Sequence, residues 1–320
     1  MKRTALLGLM LLIFWGIFSP TWSQFRKVAT TGYAFLEIPV SAREAALGET
    51  STTYANPDAA AVFANPGLLG FIQGQHAFHG SFANYLADTR HQALAYVYCH
   101  PTLGSFALSV NQLDMGEMVE TVNADPLNPG GNYLVLGTFK ADALAIGLSY
   151  ARRLTDLFAF GITAKYIREQ IARYQSENII FDVGMMYYTG FRSLRIGGYI
   201  QNFGVDSKYL DDTFKMPMVF KLGGSLELWG SPQSTQRLTL CLDALHPSNY
   251  SERMHSGMEY SYRNMLILRA GYKFNYDLGG FTAGFGINWP GDERNLGIDF
   301  SYTDFDELES VLRFSLNLSF

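Results

Sequence analysis

The 320-residue chain has few charged residues and very little cysteine. Charged residues make up 17 % of it, compared with roughly 25 % in an average soluble protein. The formal net charge is −5 and no basic stripe appears, so the composition argues against nucleic acid as a partner. Cys99 and Cys241 stand far apart without a C-x-x-C spacing, which argues against zinc or dithiol redox chemistry.

Long hydrophobic runs are missing after the first 23 residues. The chain begins with Lys2 and Arg3, continues with the apolar run TALLGLMLLIFWGIF and offers small residues at Thr21 and Ser23. This order predicts a secretory signal peptide over residues 1–23, with the mature chain starting at Gln24. A single membrane-anchor helix is the alternative. No later run approaches the roughly 20 apolar residues that a transmembrane helix needs.

Catalytic and metal-binding motifs are also missing. The sequence has no G-x-S-x-G elbow and no P-loop. His76 and His79 are three residues apart, which places them on opposite faces of a strand and argues against a shared metal ion. We therefore predict a protein that is not an enzyme and that carries no cofactor and no metal site.

What the sequence does have is alternation of apolar and polar residues, which dominates from about residue 75 onward. In the last segment, apolar side chains from Leu312 to Phe320 alternate with Arg313, Ser315, Asn317 and Ser319. About fourteen such segments occur, and most are close to the roughly 9–11 residues with which a tilted strand crosses a bilayer. The segments lie near 76–85, 91–99, 104–112, 142–151, 157–167, 178–188, 193–202, 217–228, 236–243, 254–262, 266–274, 280–289, 295–303 and 310–320.

The connections between these segments alternate in length, as they do in bacterial outer-membrane barrels. The short connections are 100–102, 153–156, 189–192, 263–264 and 290–294. The longer ones are 113–141, 168–177, 203–216 and 244–253. We therefore predict an all-β fold, a transmembrane antiparallel barrel of about fourteen strands over residues 75–320, located in the bacterial outer membrane and surrounded by its lipid.

Aromatic residues at the strand ends support this prediction. A ring of them is expected at the periplasmic interface, formed by Tyr98, Tyr150, Tyr187, Tyr262, Trp289 and Phe320. Trp229 has the wrong parity for this ring unless a β-bulge precedes it. The terminal Phe320, after alternating apolar residues, resembles the signal that the barrel assembly machinery recognises, so that machinery is a predicted partner. A truncated soluble β-protein is the alternative.

Residues 24–74 do not alternate and predict a hatch inside the barrel. Ser41 and Glu44 have the spacing of a capping box, which predicts a short helix. Asn56 is expected to cap a second helix that starts at Pro57 and ends before Asn65-Pro66. A lumen of about fourteen strands is wide enough to need filling. Arg43 and Asp58 are the candidates to pair with lumen charges, which we expect to be Asp182, Glu227, Glu259, Arg269 and Asp299.

The same segment carries a recognisable pattern. It consists of Phe35-Leu36, Ala42-Arg43, Gly48, Asp58-Ala59 and Asn65-Pro66-Gly67-Leu68. The pattern resembles the N-terminal signature of the PorV/PorQ family, outer-membrane proteins related in fold to the FadL long-chain fatty-acid transporters. Gly67 replaces the usual Ala, and Glu49 stands where a second Gly or Asp is common.

The resemblance implies a fourteen-stranded FadL-like barrel and a role in type IX secretion. PorV-like proteins receive cargo through its C-terminal signal domain and present it to a surface sortase, and PorQ-like proteins belong to the attachment complex. Such partners would be held by the long loops, where candidate contact residues are apolar and adaptable. These candidates are Met115, Met118, Tyr133, Tyr174, Tyr209 and Phe214.

Two further hypotheses stand beside secretion. The first is a FadL-like transporter of long-chain fatty acids or other hydrophobic small molecules, in which the substrate passes the hatch or a kink in the wall. The second is a structural barrel without cargo.

Overall fold

Fourteen antiparallel strands close into one β-barrel, in which the first strand, β1, pairs with the last, β16. The numbering includes two short strands, β8 and β9, that lie outside the barrel. The computed structural model describes residues 30–124, 132–291 and 294–320. The barrel confirms the predicted fold class and strand number. The predicted signal peptide lies outside the described residues.

The strands are regular and follow one another around the wall. They are β1 (His76–Asn84), β2 (Arg90–His100), β3 (Gly104–Asn123), β4 (Tyr133–Arg153), β5 (Phe158–Ile171), β6 (Tyr174–Tyr188), β7 (Arg195–Phe203), β10 (Val219–Trp229), β11 (Gln236–Pro247), β12 (Arg253–Tyr262), β13 (Leu266–Phe274), β14 (Phe281–Pro290), β15 (Asn295–Thr303) and β16 (Val311–Ser319). Between β7 and β10, the short strands β8 (Ser207–Lys208) and β9 (Thr213–Phe214) form a separate two-stranded ribbon.

Alternation along each strand separates the two faces of the wall. On β16, Leu312, Phe314 and Leu316 are exposed on the outside, whereas Arg313 and Ser315 are buried in the lumen. Lipid covers such an outer face in a membrane, and a closed wall leaves no backbone group unpaired there. The sequence pattern therefore states directly which side chains face the lumen.

Short helical turns precede the wall. They are α1 (Ala42–Ala46) and the 3₁₀ turns Ala34–Glu37, Ala59–Phe63 and Pro66–Phe71; a further turn, Leu86–Asp88, connects β1 and β2. Within the described ranges, no helix is long and apolar enough to cross a membrane.

The helix caps confirm one prediction and correct another. The Ser41 side chain accepts a hydrogen bond from the Glu44 backbone N–H at 3.1 Å, as the capping box requires. Asn56 does not cap the next turn, so that prediction is wrong. Asp58 does so instead, because its carboxylate accepts from the Ala60 N–H at 2.9 Å. Asn65 caps the third turn, with Pro66 in its first position.

Two rims can be distinguished. The short-turn rim holds the connections after β2, β4, β6, β10, β12 and β14, and the long-loop rim holds the others. The predicted loop 168–177 is wrong: β5 and β6 continue to Ile171 and Tyr174, and only Ala172 and Arg173 connect them. Ala172 has φ +54°, as a tight turn requires. The polar residues of 168–177 therefore extend β5 and β6 instead of forming a loop.

The predicted loop 113–141 is also mostly strand. β2 accompanies β3 as far as Asp114, and β5 accompanies β4 as far as Ala141. Beyond these points β3 and β4 pair with each other up to Asn123 and Tyr133. We call residues 115–123 and 133–139 the projecting hairpin. Its Val, Thr, Leu and Tyr residues favour strands, which explains why the ladder continues.

A β-bulge precedes Trp229, as the sequence predicted. The pairing of β10 with β11 shifts register between Glu227 and Trp229. A bulge of this kind turns the next side chain to the other face, so Trp229 is exposed and stacks on Tyr260 with an interplanar angle of 7°.

Candidate functional site

The first half of the hatch is held by charged residues of the wall. Arg43 Nε lies 3.2 Å from a Glu259 carboxylate oxygen, and the same oxygen accepts from Arg269 Nε at 2.9 Å. Arg269 also pairs with Asp299. Asp58 is 3.8 Å from Arg43, so it pairs with the hatch itself and not with a wall cation. Arg43 thus joins the hatch to a buried network on β12, β13 and β15.

The other predicted lumen charges pair within the wall. Asp182 lies 2.8 Å from Lys165, and Glu227 lies 2.8 Å from Arg195. Neither carboxylate binds the hatch through an ion pair in the part of the chain that the structure describes. Each of these two carboxylates is therefore neutralised by a cation of the wall. Glu259 is the wall carboxylate that forms an ion pair with Arg43 of the hatch.

Backbone groups of the hatch are anchored to wall side chains. The Asp243 carboxylate accepts from the Ser51 N–H at 2.7 Å and from the Thr52 N–H at 3.1 Å. The Thr282 hydroxyl accepts from the Gly48 N–H at 2.9 Å. These bonds satisfy hatch groups that have no partner in secondary structure, as burial demands.

Glu49 adds a charged anchor. Burial alone would favour its neutral form, but Lys273, whose Nζ donates to it at 2.7 Å, and His255 outweigh burial and hold the pKa of Glu49 at about 2. The carboxylate is therefore ionised at any physiological pH and binds the hatch to β13.

Glycines of the wall make room for the hatch backbone. A Cβ at Gly271 would lie 2.0 Å from the Gly48 nitrogen, and one at Gly257 would lie 2.5 Å from the Leu47 carbonyl oxygen. Gly48 itself has φ +65°, which favours glycine, and its own Cβ would meet the Tyr272 nitrogen at 2.8 Å. The turn after α1 thus fits a notch in β12 and β13, and this gives Gly48 of the family pattern a physical reason.

Asn65 and Pro66 occupy a second notch. The Asn65 amide donates to the Met185 carbonyl at 2.8 Å, and a Cβ at Gly184 would lie within 2.1 Å of the Asn65 side-chain oxygen. At Gly161 a Cβ would lie 2.3 Å from the Pro66 carbonyl oxygen. Leu68, the last residue of the pattern, is completely buried.

The lumen face of the first strands is lined by small residues. Ala77 on β1, Ala95 on β2 and Ala107 on β3 pack in one buried cluster with Ala59 and Val62 of the hatch. These strands therefore contact Ala59 and Val62 mainly through apolar side chains, and the Ser105 hydroxyl of β3 adds a hydrogen bond to the Leu69 carbonyl at 2.8 Å, whereas β12, β13 and β15 contact the hatch through charges.

A cavity of about 310 Å³ lies between the hatch and the long-loop rim. Part of its lining is apolar, with Leu36, Ile38, Val62, Phe63, Leu245 and Phe305. The remainder includes four cations, Lys165, Lys221, Arg253 and Lys273, and four carboxylates, Glu37, Glu44, Glu49 and Asp182. We call it the upper cavity. It can enclose a compound that has both an apolar body and a polar head.

Two of these cations have no carboxylate partner among the residues that the structure describes. The Arg253 guanidinium lies 4.0 Å from the ring centroids of both Tyr250 and Tyr276, and its buried Nε has no hydrogen-bond partner. Lys221 Nζ donates to the Ser51 hydroxyl at 3.2 Å and to the Glu49 carbonyl at 3.4 Å. Among the described residues, no carboxylate lies within 4.0 Å of either cation.

Burial acts on two carboxylates that line the upper cavity, Glu37 and Glu44. Burial raises the pKa of Glu44 to about 7, although Lys221 opposes the shift. Burial likewise raises the pKa of Glu37, although the hydrogen bond from Asn249 at 3.0 Å and the charge of Arg253 oppose the shift. Both shifts favour the neutral carboxyl group, which reduces the negative charge beside Lys221 and Arg253.

Two lower cavities of about 420 and 1150 Å³ lie on the other side of the hatch, at the short-turn rim. They share Asn56, Phe71 and Gln73 of the hatch. Val62 and Phe63 line the upper cavity, and Ala59 lines the smaller lower cavity. A single 3₁₀ turn, Ala59–Phe63, therefore has one cavity at each of its ends.

A closed fourteen-stranded wall with an N-terminal hatch matches several solved structures. The monoaromatic hydrocarbon channel CymD superposes with a TM-score of 0.61 at 14 % identity, covering 88 % of this chain and 97 % of that one. The Pseudomonas putida toluene transporter TodX gives 0.57 at 12 % identity, covering 92 % and 98 %. A Pseudomonas aeruginosa FadL homologue gives 0.51 at 12 % identity, covering 88 % and 98 %.

This chain has the FadL-like outer-membrane barrel fold. No family model matches its sequence. No curated protein matches it either. The PorV/PorQ assignment of this FadL-like barrel is not confirmed and stays a prediction.

The loop residues predicted to contact partners fall into two groups in the FadL-like barrel. Tyr209 and Phe214 cover the hatch: Phe214 packs edge-on against Tyr33, with centroids 5.4 Å apart, and Tyr209 contacts Phe214 at the same distance. Met115 packs against the buried cluster of Phe35 and Leu113. These three side chains are partly covered by the protein itself.

The second group lies on the projecting hairpin and beside the β5–β6 turn. Tyr133 of the hairpin and Tyr174 beside the turn are exposed, whereas Met118 of the hairpin is half-buried. At the other rim, the Phe320 carbonyl accepts from the Gln75 and His76 N–H groups at 2.9 and 2.8 Å and completes the closure of the FadL-like barrel. Its role as an assembly signal stays a prediction.

Sequence reasoning missed the two unpaired cations. Lys221 has the lumen parity of β10 and Arg253 opens β12, so the alternation places both at the inner face. Their lack of a carboxylate depends on the path of the hatch, which no local pattern gives.

Proposed function

We propose that this protein is an outer-membrane channel that takes up small amphipathic compounds with a negatively charged head. The observation that carries the proposal is the upper cavity, where apolar side chains of the hatch stand opposite Lys221 and Arg253, two cations with no carboxylate within 4.0 Å in the described parts of the chain. The names of the similar structures, a hydrocarbon channel and a toluene transporter, support a channel for small hydrophobic molecules.

In this proposal the long-loop rim faces the outside and the short-turn rim faces the periplasm, as in other outer-membrane barrels. Residues 24–74 act as the hatch, and the wall begins after them. The apolar body of the ligand replaces water along Leu36, Ile38 and Val62, while its head binds Arg253 and Lys221. A guanidinium held between two aromatic rings is already oriented for a carboxylate, so little side-chain entropy is lost on binding.

Replacing Arg253 by alanine is expected to weaken binding of an anionic ligand about tenfold, because one charge-assisted hydrogen bond is lost. The measurement is fluorescence titration of the purified protein with a dansyl-labelled long-chain carboxylate and with its methyl ester. The ester should bind wild type and Arg253→Ala alike. Arg192→Ala, which removes an exposed arginine at the short-turn rim, is the matched control. Equal affinity of wild type for the carboxylate and the ester would refute the proposal.

A second candidate function, docking of secreted proteins as in PorV-like proteins, is supported by the projecting hairpin. Leu134, Val135 and Leu136 follow Tyr133 without a polar residue, and all four are between 56 and 67 % exposed. Exposed apolar residues in such a run are typical of an interaction surface.

Joining Asp114 directly to Ala141 through a two-residue turn is expected to abolish such docking and to leave the upper cavity intact. In the native host, loss of a secreted protein from the cell surface, with unchanged carboxylate binding, would support docking. Normal secretion by the shortened variant would contradict it. Glu117→Gln with Lys140→Gln, which changes an exposed ion pair and keeps the hairpin, is the control.

A further inference from the structure

The hatch is fixed to the wall on both sides of one short stretch. On the N-terminal side, Asp243 holds the Ser51 and Thr52 backbone at 2.7 and 3.1 Å. On the C-terminal side, Asn65 donates to the Met185 carbonyl, and the adjoining backbone occupies the notch at Gly161 and Gly184. Moving either anchor would leave buried polar groups unpaired, which is costly.

The turn Ala59–Phe63 between these anchors is held differently. Its partners on β1, β2 and β3 include Ala77, Ala95, Val97 and Ala107, which offer no hydrogen bonds through their side chains, and the His79 ring of β1, whose centroid lies 6.1 Å from that of Phe63. At its end, the Gln201 amide of β7 donates to the Phe63 and Ala64 carbonyls, both at 2.8 Å. In the described residues, these are the side-chain hydrogen bonds that tie the end of the turn to the wall.

The same turn separates the cavities. Val62 and Phe63 stand at the floor of the upper cavity, Ala59 at the roof of the smaller lower cavity, and Gln201 lines the upper one. Displacement of this turn away from the alanines would join the two spaces beside Ala77, Ala95 and Ala107, where the His79 ring also lies next to Phe63. The anchors at Asp243 and Asn65 would stay in place, while Asp58, which caps the turn and lies 3.8 Å from Arg43, would shift with it.

We propose that the turn Ala59–Phe63 is the gate of the lumen, that Gln201 is its latch, and that the rest of the hatch stays in place while a compound passes. This inference rests on the proposed channel function. An apolar body meets no hydrogen-bonding side chain at Ala77 and Ala95, and the two bonds from Gln201 are the described hydrogen bonds between a wall side chain and the end of the turn that a compound bound above would displace.

The proposal can be tested by cysteine accessibility in the full-length barrel with Cys99 and Cys241 replaced by serine. Ala61 lies in the gate and Ala45 in the anchored half, and both are almost fully buried, at 0 and 2 % exposure. A single cysteine at Ala61 is expected to react with a soluble maleimide about tenfold faster than one at Ala45, because labelling reports local opening. Heat-dependent gel mobility establishes that each variant has a closed barrel.

Gln201→Leu is expected to accelerate labelling at Ala61→Cys about tenfold, since two hydrogen bonds of the closed gate are lost, and to leave labelling at Ala45→Cys unchanged. Two outcomes would overturn the proposal. Equal labelling rates at Ala61→Cys and Ala45→Cys would indicate that the turn does not open separately from the anchored half. Equal acceleration of both by Gln201→Leu would indicate that the hatch moves as a whole. The labelling needs no ligand. The two proposals can therefore fail separately. If Ala61→Cys is labelled as expected but the protein binds the carboxylate and the ester equally well, the proposed substrate class is refuted and the gate is not.

Discussion

Gly271→Ala is expected to displace the hatch from its notch while the barrel stays closed. The new Cβ would lie 2.0 Å from the Gly48 nitrogen and 2.3 Å from the Leu47 carbonyl carbon, far inside van der Waals contact. Both opposing atoms belong to the backbone, so no side chain can rotate away. Overpacking of this kind costs about 1–3 kcal/mol, and we expect the upper end of that range.

The measurement is protease protection of residues 30–74 in the folded barrel, together with urea titration in lipid vesicles. The hatch of Gly271→Ala should be cut at protease concentrations that leave the wild type intact. Gly80→Ala is the matched control, because a Cβ on this outward glycine of β1 meets only Leu94 at 3.4 Å. If the two variants were equally protected, the notch would not hold the hatch.

Glu259→Gln is expected to lower the free energy of unfolding by about 3 kcal/mol or more, the second large effect. The Glu259 carboxylate is buried between Arg43 of the hatch and Arg269 of the wall, at 3.2 and 2.9 Å. Its neutral replacement leaves two buried guanidinium groups with less compensation, and uncompensated buried charge is expensive.

Arg43→Met should cost less, because Glu259 keeps its bond to Arg269. The double variant should lose less free energy of unfolding than the sum of the losses of the two single variants. We expect a coupling energy of about 1–3 kcal/mol, because the two side chains are in contact. Glu117→Gln serves as control, since its partner Lys140 is exposed and such pairs contribute about 1 kcal/mol at most. Strict additivity of Arg43→Met and Glu259→Gln would contradict the network.

The wall could be predicted from the sequence because its rule is local. Membrane lipid outside and a polar lumen inside impose a period of two on every strand, and the segment ending at Phe320 shows it plainly. The prediction of strand ends was wrong where this alternation of apolar and polar residues stops. Polar residues occupy both faces of β5 and β6 from Arg168 to Glu177, with Glu169 and Ser176 buried on the inner face, so the segment resembles a loop although it continues the ladder.

The hatch could be predicted only in part, because its contacts are not local. The cap at Ser41 depends on Glu44 three residues away, and the sequence showed it. The choice of Asp58 over Asn56 as the next cap depends on where Arg43 and the wall place the chain. Arg43 meets Glu259 across 216 residues of sequence, and only the number of lumen charges could suggest such a pair.

The path of the N-terminal segment has a consequence for biogenesis. Thr31 pairs with Lys215 near one rim, and Gln75 meets Phe320 at the other, so the segment traverses the full height of the lumen. Notches without space for a methyl group hold the hatch backbone close against the wall, so we expect the wall to close around a hatch that already lies at the barrel axis, and the β1–β16 pairing, which joins the two ends of the wall, is a natural place for that closure.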